Sequence, residues 1–233
     1  GNQATNRGGG VFTNYVTTLR IANSLVSGNV AIQGGGDYTR VTTATLTNVT
    51  IHGNESDACG GGISSAYATV GLRNSTITGN RADANGDAYG TGGGLDIFNS
   101  TFNIANTVIA DNHVGAGAIE NDINGTVATA TNSVFGTPVT ITTNSGSLVN
   151  VANVGLGQLL DNGGSVLTRS PLDGSVLIAA GLNSAVPPDS LDIDGDGNKT
   201  ALIDGLIATC AMLGFTIDAI IGNIVFPGSA ARK

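Results

Sequence analysis

Tryptophan is absent from this 233-residue chain, and six Phe and four Tyr are its only aromatic residues besides two His. A core built on large aromatic side chains is excluded. Charged residues make up only 11%, too few for an acidic disordered chain. The nine Lys and Arg are dispersed in a chain of net charge -8, and no Lys precedes Lys199. Nucleic acid, whose phosphates need clustered cations, is therefore excluded as a partner. A lyase acting on acidic polysaccharide, which needs a basic group near the abstracted proton, is disfavoured. No run of 18 apolar residues is present, so no helix of the sequence crosses a membrane. The opening residues Gly1, Asn2 and Gln3 are not a signal peptide; an exported form would have lost its signal. Two cysteines, Cys59 and Cys210, are too few for a disulfide framework and leave two readings open, buried thiols or one disulfide.

What the chain has in excess is small and turn-forming: 36 Gly, 27 Thr and 24 Asn. These residues repeat in order. Gly-Gly-Gly stands at 8–10, 34–36, 60–62 and 92–94. An Asn before a short β-prone run stands at Asn23, Asn48, Asn74, Asn106 and Asn132. A third marker is Gly28-Asn29, Gly53-Asn54 and Gly79-Asn80, with Asp111-Asn112 as a weaker copy. Residues 1–7 align with 28–33, so the chain enters at an internal repeat with a bare first rung, open to self-association.

The register predicts a coil of short strands. Two residues before each Asn stand Ile21, Leu46, Leu72, Ile104 and Ala130; three residues after it stand Val26, Ile51, Ile77, Ile109 and Phe135. No single coil buries these residues alone, so each column must stack on the next as an inner seam. Asn tolerates left-handed backbone and its amide can bond to the Asn of the adjacent coil, which suits a corner. The Gly runs open strands at Val11, Ile63, Leu95 and Ile119, with Asp37 breaking the column and making the second coil less regular. Residues 81–91 are an insertion expected to leave as a loop without shifting the core register. Residues 1–155 are thus expected to form β-coils, and 156–190 a closing segment.

Residues 192–204 place Asp192, Asp194 and Asp196 at alternate positions, then Gly197, Asn198 and Thr200. Alternate oxygen donors around a Gly turn suit a hard cation, and calcium is the expected ion. Asn198 supplies a carbonyl and Thr200 a direct or water-mediated contact. The twelfth residue, Ile203, has no donor, leaving Asp204 to close the shell. Leu202, Leu206, Ile207, Cys210 and Leu213 then recur at helical spacing, so 191–233 reads as a calcium loop, helix and terminal tail.

The motif Asn-Ser-Thr-Ile-Thr-Gly-Asn at 74–80, its counterpart at 48–54, and the Gly-Gly-Gly runs followed by Ile63 or Leu95 resemble bacterial β-helix proteins of the pectin-lyase-like superfamily. They are especially similar to polymorphic outer-membrane-protein repeats. The resemblance implies an all-β, right-handed single-stranded parallel β-helix over 1–155, with the calcium loop and helix as a small appendage. Residues 191–226 resemble half of a dockerin module. Together these imply secretion or surface display in a bacterium, with an extracellular glycan or cell-surface partner.

Three functions follow as expectations. The first is a non-catalytic structural or adhesion module stabilised by calcium. The second is a polysaccharide-processing enzyme: one residue past each post-glycine apolar position stand Phe12, Tyr38, Ser64, Asp96 and Glu120, which would set Asp96 and Glu120 on adjacent coils as a carboxylate pair. The third is a carbohydrate-binding module using Tyr38, Tyr67 and Tyr89. Glu55, Arg81 and His113 form a further outer column, read as an ion ladder. The abundance of Thr raises ice binding, against which stands the absence of one uninterrupted outward Thr column in the spacing.

Overall fold

The computed structural model describes residues 1–116, 119–164, 166–178 and 180–181. The calcium-loop residues, the helix expected after them and Cys210 lie outside the described residues. Described residues are all-β, with no helix, and belong to one compact unit, Gly1–Leu182.

Three sheets carry the repeat. The first holds β1 (Val11–Asn14), β4 (Asp37–Arg40), β7 (Ile63–Ala66), β11 (Leu95–Phe98) and β16 (Ile123–Asn124), all parallel. The second and largest holds β2 (Thr18–Ser27), β5 (Thr43–His52), β8 (Thr69–Arg73), β9 (Thr76–Thr78), β12 (Thr101–Ala105), β13 (Val108–Ala110), β17 (Thr126–Thr131), β18 (Val134–Phe135) and β19 (Thr140–Ser145). The third holds β3 (Val30–Ala31), β6 (Glu55–Ser56), β10 (Arg81–Ala82) and β14 (His113–Val114) in parallel, closed by antiparallel β15 (Ile119–Glu120). From β1 to β14 the chain visits first, second and third sheet in rotation, an arrangement compatible with a parallel β-helix.

The expected seams form. Ile21, Leu46, Leu72, Ile104 and Ala130 pair in one column, and Val26, Ile51, Ile77, Ile109 and Phe135 in another. From Leu46 and Ile51 onward both columns are almost wholly buried in a single apolar cluster. Each Leu or Ile contributes about 1.5–3 kcal/mol on burial, and only stacking achieves that burial.

The corners hold the coils in register. Asn23, Asn48, Asn74, Asn106 and Asn132 all have φ between 44 and 56°, the left-handed region that Asn tolerates. The amide of Asn48 donates to Asn23 Oδ1 at 2.7 Å. At the opposite corner a buried ladder runs the length of the repeat. The backbone N–H and side-chain amide of Asn29 both donate to Asn54 Oδ1. Asn54 donates the same pair to Asn80, and Asn80 to Asn112. A Cβ on Gly36 or Gly62 would stand 2.5 or 2.6 Å from the backbone carbonyl of Gly62 or Gly94 on the next coil, with the ladder amide of Asn54 or Asn80 crowding it as well, which is why the third glycine of these triplets carries no side chain.

One expectation about the fifth coil is corrected. Ile119 does not continue the Val11 column; Ile123 does, pairing with Leu95. The cause is that Asp122 occupies the place of the third glycine, its carbonyl accepting the N–H of Gly94 and Leu95. This coil has no further ladder Asn, so the Asp122 carboxylate fills the space and accepts both the N–H and amide of Asn112, at 3.0 and 2.8 Å. Burial holds the Asp122 carboxyl above its usual range, against bonds from Asn112 and Thr137.

Asp37 does not make its coil irregular. It pairs in register with Val11 and Ile63, pointing inward at 1% exposure. Of the 81–91 insertion, Arg81 and Ala82 stay in the coil as β10; only 83–91 leaves as a loop, and Leu95 returns to register on Ile63. Of the segment expected to close the coil, β20 (Leu156–Leu160) and β21 (Thr168–Pro171) form an antiparallel hairpin. Val154, Leu156 and Leu177 pack with Ala110 and Val134 on the outer side of β13 and β18, and Arg169 donates to Thr78 Oγ1 at 2.7 Å.

No single uninterrupted Thr column was expected; the strands carry two outward runs of paired threonines. Thr18, Thr43, Thr69 and Thr101 pair successively, and Thr126 pairs with Thr140. The spacing concealed this because β17 holds an extra residue: its buried positions are Val127 and Ala130, three apart.

Candidate ligand groove

A groove of about 410 Å³ opens on the outer face of the first sheet. Side chains alternate across a strand, so residues two apart share a face. Tyr38, Ser64, Asp96 and Asn124 form the floor, one from each successive strand. Arg40, Ala66 and Phe98, two residues further along β4, β7 and β11, form the next row. Tyr67 follows Ala66 at the corner. Thr91 and Cys59 border the other side, where Thr91 Oγ1 donates to Cys59 Sγ at 3.4 Å.

The corner beside Tyr67 is strained. Tyr15, Val41, Tyr67 and Asn99 have φ of 56, 49, 55 and 46°. A β-branched Val in this region is a rare conformation, and each such residue costs of order 1–3 kcal/mol. The strained corner projects two tyrosines: Tyr15 is 68% exposed and Tyr67 53%. Arg40 lies between them, its guanidinium carbon 5.1 Å from the Tyr15 ring centre and 5.9 Å from that of Tyr67. Tyr67 and Phe98 meet edge to face, centroids 5.5 Å apart at 87°.

Of the tyrosines expected to stack on a sugar, Tyr67 alone offers an open ring in this groove. Tyr38 lies in the floor, engaged by the Phe12 ring at 5.8 Å and the Arg7 guanidinium at 4.9 Å. Tyr89 is 82% exposed on the inserted loop, where its N–H donates to Asp87 Oδ1. Phe98, Arg40 and Asn124 are groove residues that sequence reasoning missed. The signal was present: position seven after the first glycine of each triplet gives Tyr15, Val41, Tyr67 and Asn99, and the neighbours Arg40 and Phe98 follow.

The carboxylate pair expected of an enzyme is not assembled. Asp96 pairs with Ser64 and Asn124, whereas Glu120 lies in β15 opposite His113. The shift of the fifth coil by Asp122 separates them. Asp96 Oδ1 accepts the Asn124 amide at 2.8 Å, and Oδ2 accepts Ser64 Oγ at 3.5 Å. Burial raises its carboxyl above the usual range, opposed by these bonds. It is the one carboxylate lining this groove among the described residues. The Glu55, Arg81 and His113 column does form in the third sheet, with Arg81 bonded to Glu55 at 3.0 Å.

Comparison with protein-family models, curated proteins and solved structures finds no match.

Proposed function

We propose that this chain is a rigid extracellular adhesion module, built as a right-handed single-stranded parallel β-helix, that holds a carbohydrate chain in the Tyr67–Phe98 groove. The observation carrying the reading is the pair of half-exposed rings, Tyr67 and Phe98, beside a floor of hydroxyl, amide and carboxyl groups. A sugar has apolar C–H faces and polar edges, so an aromatic wall and a hydrogen-bonding floor complement it. Parallel strands joined through crossovers favour right-handed winding, in line with the family resemblance. Asp96 serves as a hydrogen-bonding group in this reading, since a two-carboxylate hydrolysis has only one of its members here.

A glycan array followed by calorimetry tests the groove. Tyr67→Ala and Phe98→Ala are each expected to weaken the best ligand about tenfold, corresponding to about 1.4 kcal/mol. No binding across the array, or binding indifferent to both substitutions, rejects the carbohydrate reading. Release of reducing ends, abolished by Asp96→Asn, would replace adhesion with catalysis.

Calcium at Asp192, Asp194, Asp196, Asn198, Thr200 and Asp204 belongs to the same proposal. The donor set is all oxygen, as a hard cation requires, and the ion would order its own loop without taking part in chemistry. Calorimetric titration with calcium is expected to show one site, lost when Asp192 and Asp196 are both changed to Ala. A chain that takes up no calcium overturns the assignment.

A further inference from the structure

The outward face of the second sheet offers a different surface. Thr18, Thr43, Thr69, Thr101, Thr126 and Thr140 are all exposed, one on each of β2, β5, β8, β12, β17 and β19. Each immediately precedes a core residue of its strand: Leu19, Ala44, Val70, Phe102, Val127 and Ile141. Thr126 thus follows Thr101 by its shared place ahead of a core residue, although the extra residue in β17 breaks the paired register between them. Six rungs separated by about 4.8 Å give a row of about 24 Å.

A second, partial row lies beside it. Arg20, Thr45, Gly71, Asn103, Thr129 and Thr143 pair in succession along the same face. On β2, β5, β8 and β12 the two rows are two residues apart, about 6.7 Å along the strand. Over these four strands the surface is a two-dimensional grid with a hydroxyl at every node of the first row and one, Thr45, in the second; on β17 and β19 the rows stand three residues apart.

None of the six first-row threonines makes a side-chain hydrogen bond to another described residue. By contrast, the hydroxyls of Thr42, Thr107 and Thr129 donate to Val16 O, Ala105 O and Asn103 Oδ1. The face is also free of carboxylates: no Asp or Glu occurs in any of the six strands, although the chain carries 17.

The geometry points to ice as the occupant of this face. An ordered row of free hydroxyls suits a ligand whose own hydrogen-bonding groups repeat at the same interval. The oxygen lattice of ice repeats in two directions at distances close to the strand spacing and to the rise of two strand residues. The Thr methyl beside each hydroxyl restrains the water between rungs, so that surface water adopts the lattice before contact. Carboxylates would hold mobile, ion-ordered water instead, and they are missing from these strands. The core columns behind the face fix the rungs against one another, so the grid is set before binding.

This function is separate from the groove, which lies on the first sheet. The purified full chain, placed on a single ice crystal under a cooling microscope, is expected to separate melting from freezing temperature and to facet the crystal. Thr69→Tyr, which lifts a ring out of the middle of the row, and the double change Thr69→Ala with Thr101→Ala are both expected to remove most of that separation. Their circular dichroism and melting should stay unchanged, because both positions point away from the core. Tyr67→Ala should leave the ice effect intact, so failure of the groove reading and failure of this one are distinguishable. Absence of any thermal separation or faceting overturns the proposal, as does full retention in both Thr variants. Sedimentation with crystalline cellulose that is lost in Thr69→Tyr, without an effect on ice, overturns it in favour of a crystalline polysaccharide.

Discussion

Raising the pH from about 4 to about 8 is expected to cost the wild-type chain on the order of 4 kcal/mol of stability through Asp37 alone. Asp37 stands inward between Val11 and Ile63, and burial pushes its carboxyl from 3.8 up to about 7, against a weaker opposing bond from Thr39. A raised carboxyl pKa means that the folded chain holds a proton the unfolded chain has released. Between 3.8 and about 7 the folded state therefore binds more protons, and stability falls as pH rises through that window. Below 3.8 both states are protonated and the contribution is complete. Urea unfolding across this range should show a steeper decline for wild type than for Asp37→Asn. Asp96 and Asp122 are shifted in the same direction but are present in both proteins, so the difference isolates Asp37. Identical pH profiles would place the Asp37 carboxyl in water, contrary to its 1% exposure.

Breaking the buried ladder comes next in size. Asn80 is fully buried; its Oδ1 accepts two bonds from Asn54, and its amide reaches Asn112 and the Ile51 carbonyl. Asn80→Ala leaves several of these groups without partners in a site closed to water, at about 1–3 kcal/mol each where nothing replaces the bond. A loss of about 3–5 kcal/mol in unfolding free energy is expected. The exposed corner makes the comparison. Asn48 has φ 56° and one amide bond to Asn23, so Asn48→Gly, which keeps the backbone unstrained, should fall within about 1 kcal/mol of wild type. Equal losses at the two corners would show that backbone conformation, and not burial of the amides, carries the ladder's contribution.

Much of this fold was legible because its physics is repetitive. Leu46 must lie over Leu72, and Ile51 over Ile77, since neither is buried otherwise; counting from the Asn marker finds both. Counting failed where one residue replaced another in the same role. Asp122 stands where glycine was sought, so Glu120 was placed one coil beside Asp96, although the chain reverses at Ile119–Glu120 into an antiparallel strand. The threonine runs were hidden from counting for a related reason: one extra residue between Val127 and Ala130 offsets Thr126 from the Asn132 marker. The groove was harder to see because its parts are unlike. Arg40 and Phe98 share a row but no chemistry, and only the strand register brings them beside Tyr67.

The ladder has a sense of direction. Every amide from Asn29 to Asn112 donates one N–H to the later coil and turns its oxygen toward the earlier one, so the Asn-to-Asn bonds all run the same way along the stack. The donating end faces the Asp122 carboxylate, the placement that an anion takes at the start of a helix. Interior coils are therefore interchangeable parts. Excising residues 34–59 would bring Asn29 against Asn80 with each donor and acceptor still matched, whereas the terminal coil has no substitute. The chain's length is free to vary one coil at a time, and the carboxylate marks where the count stops.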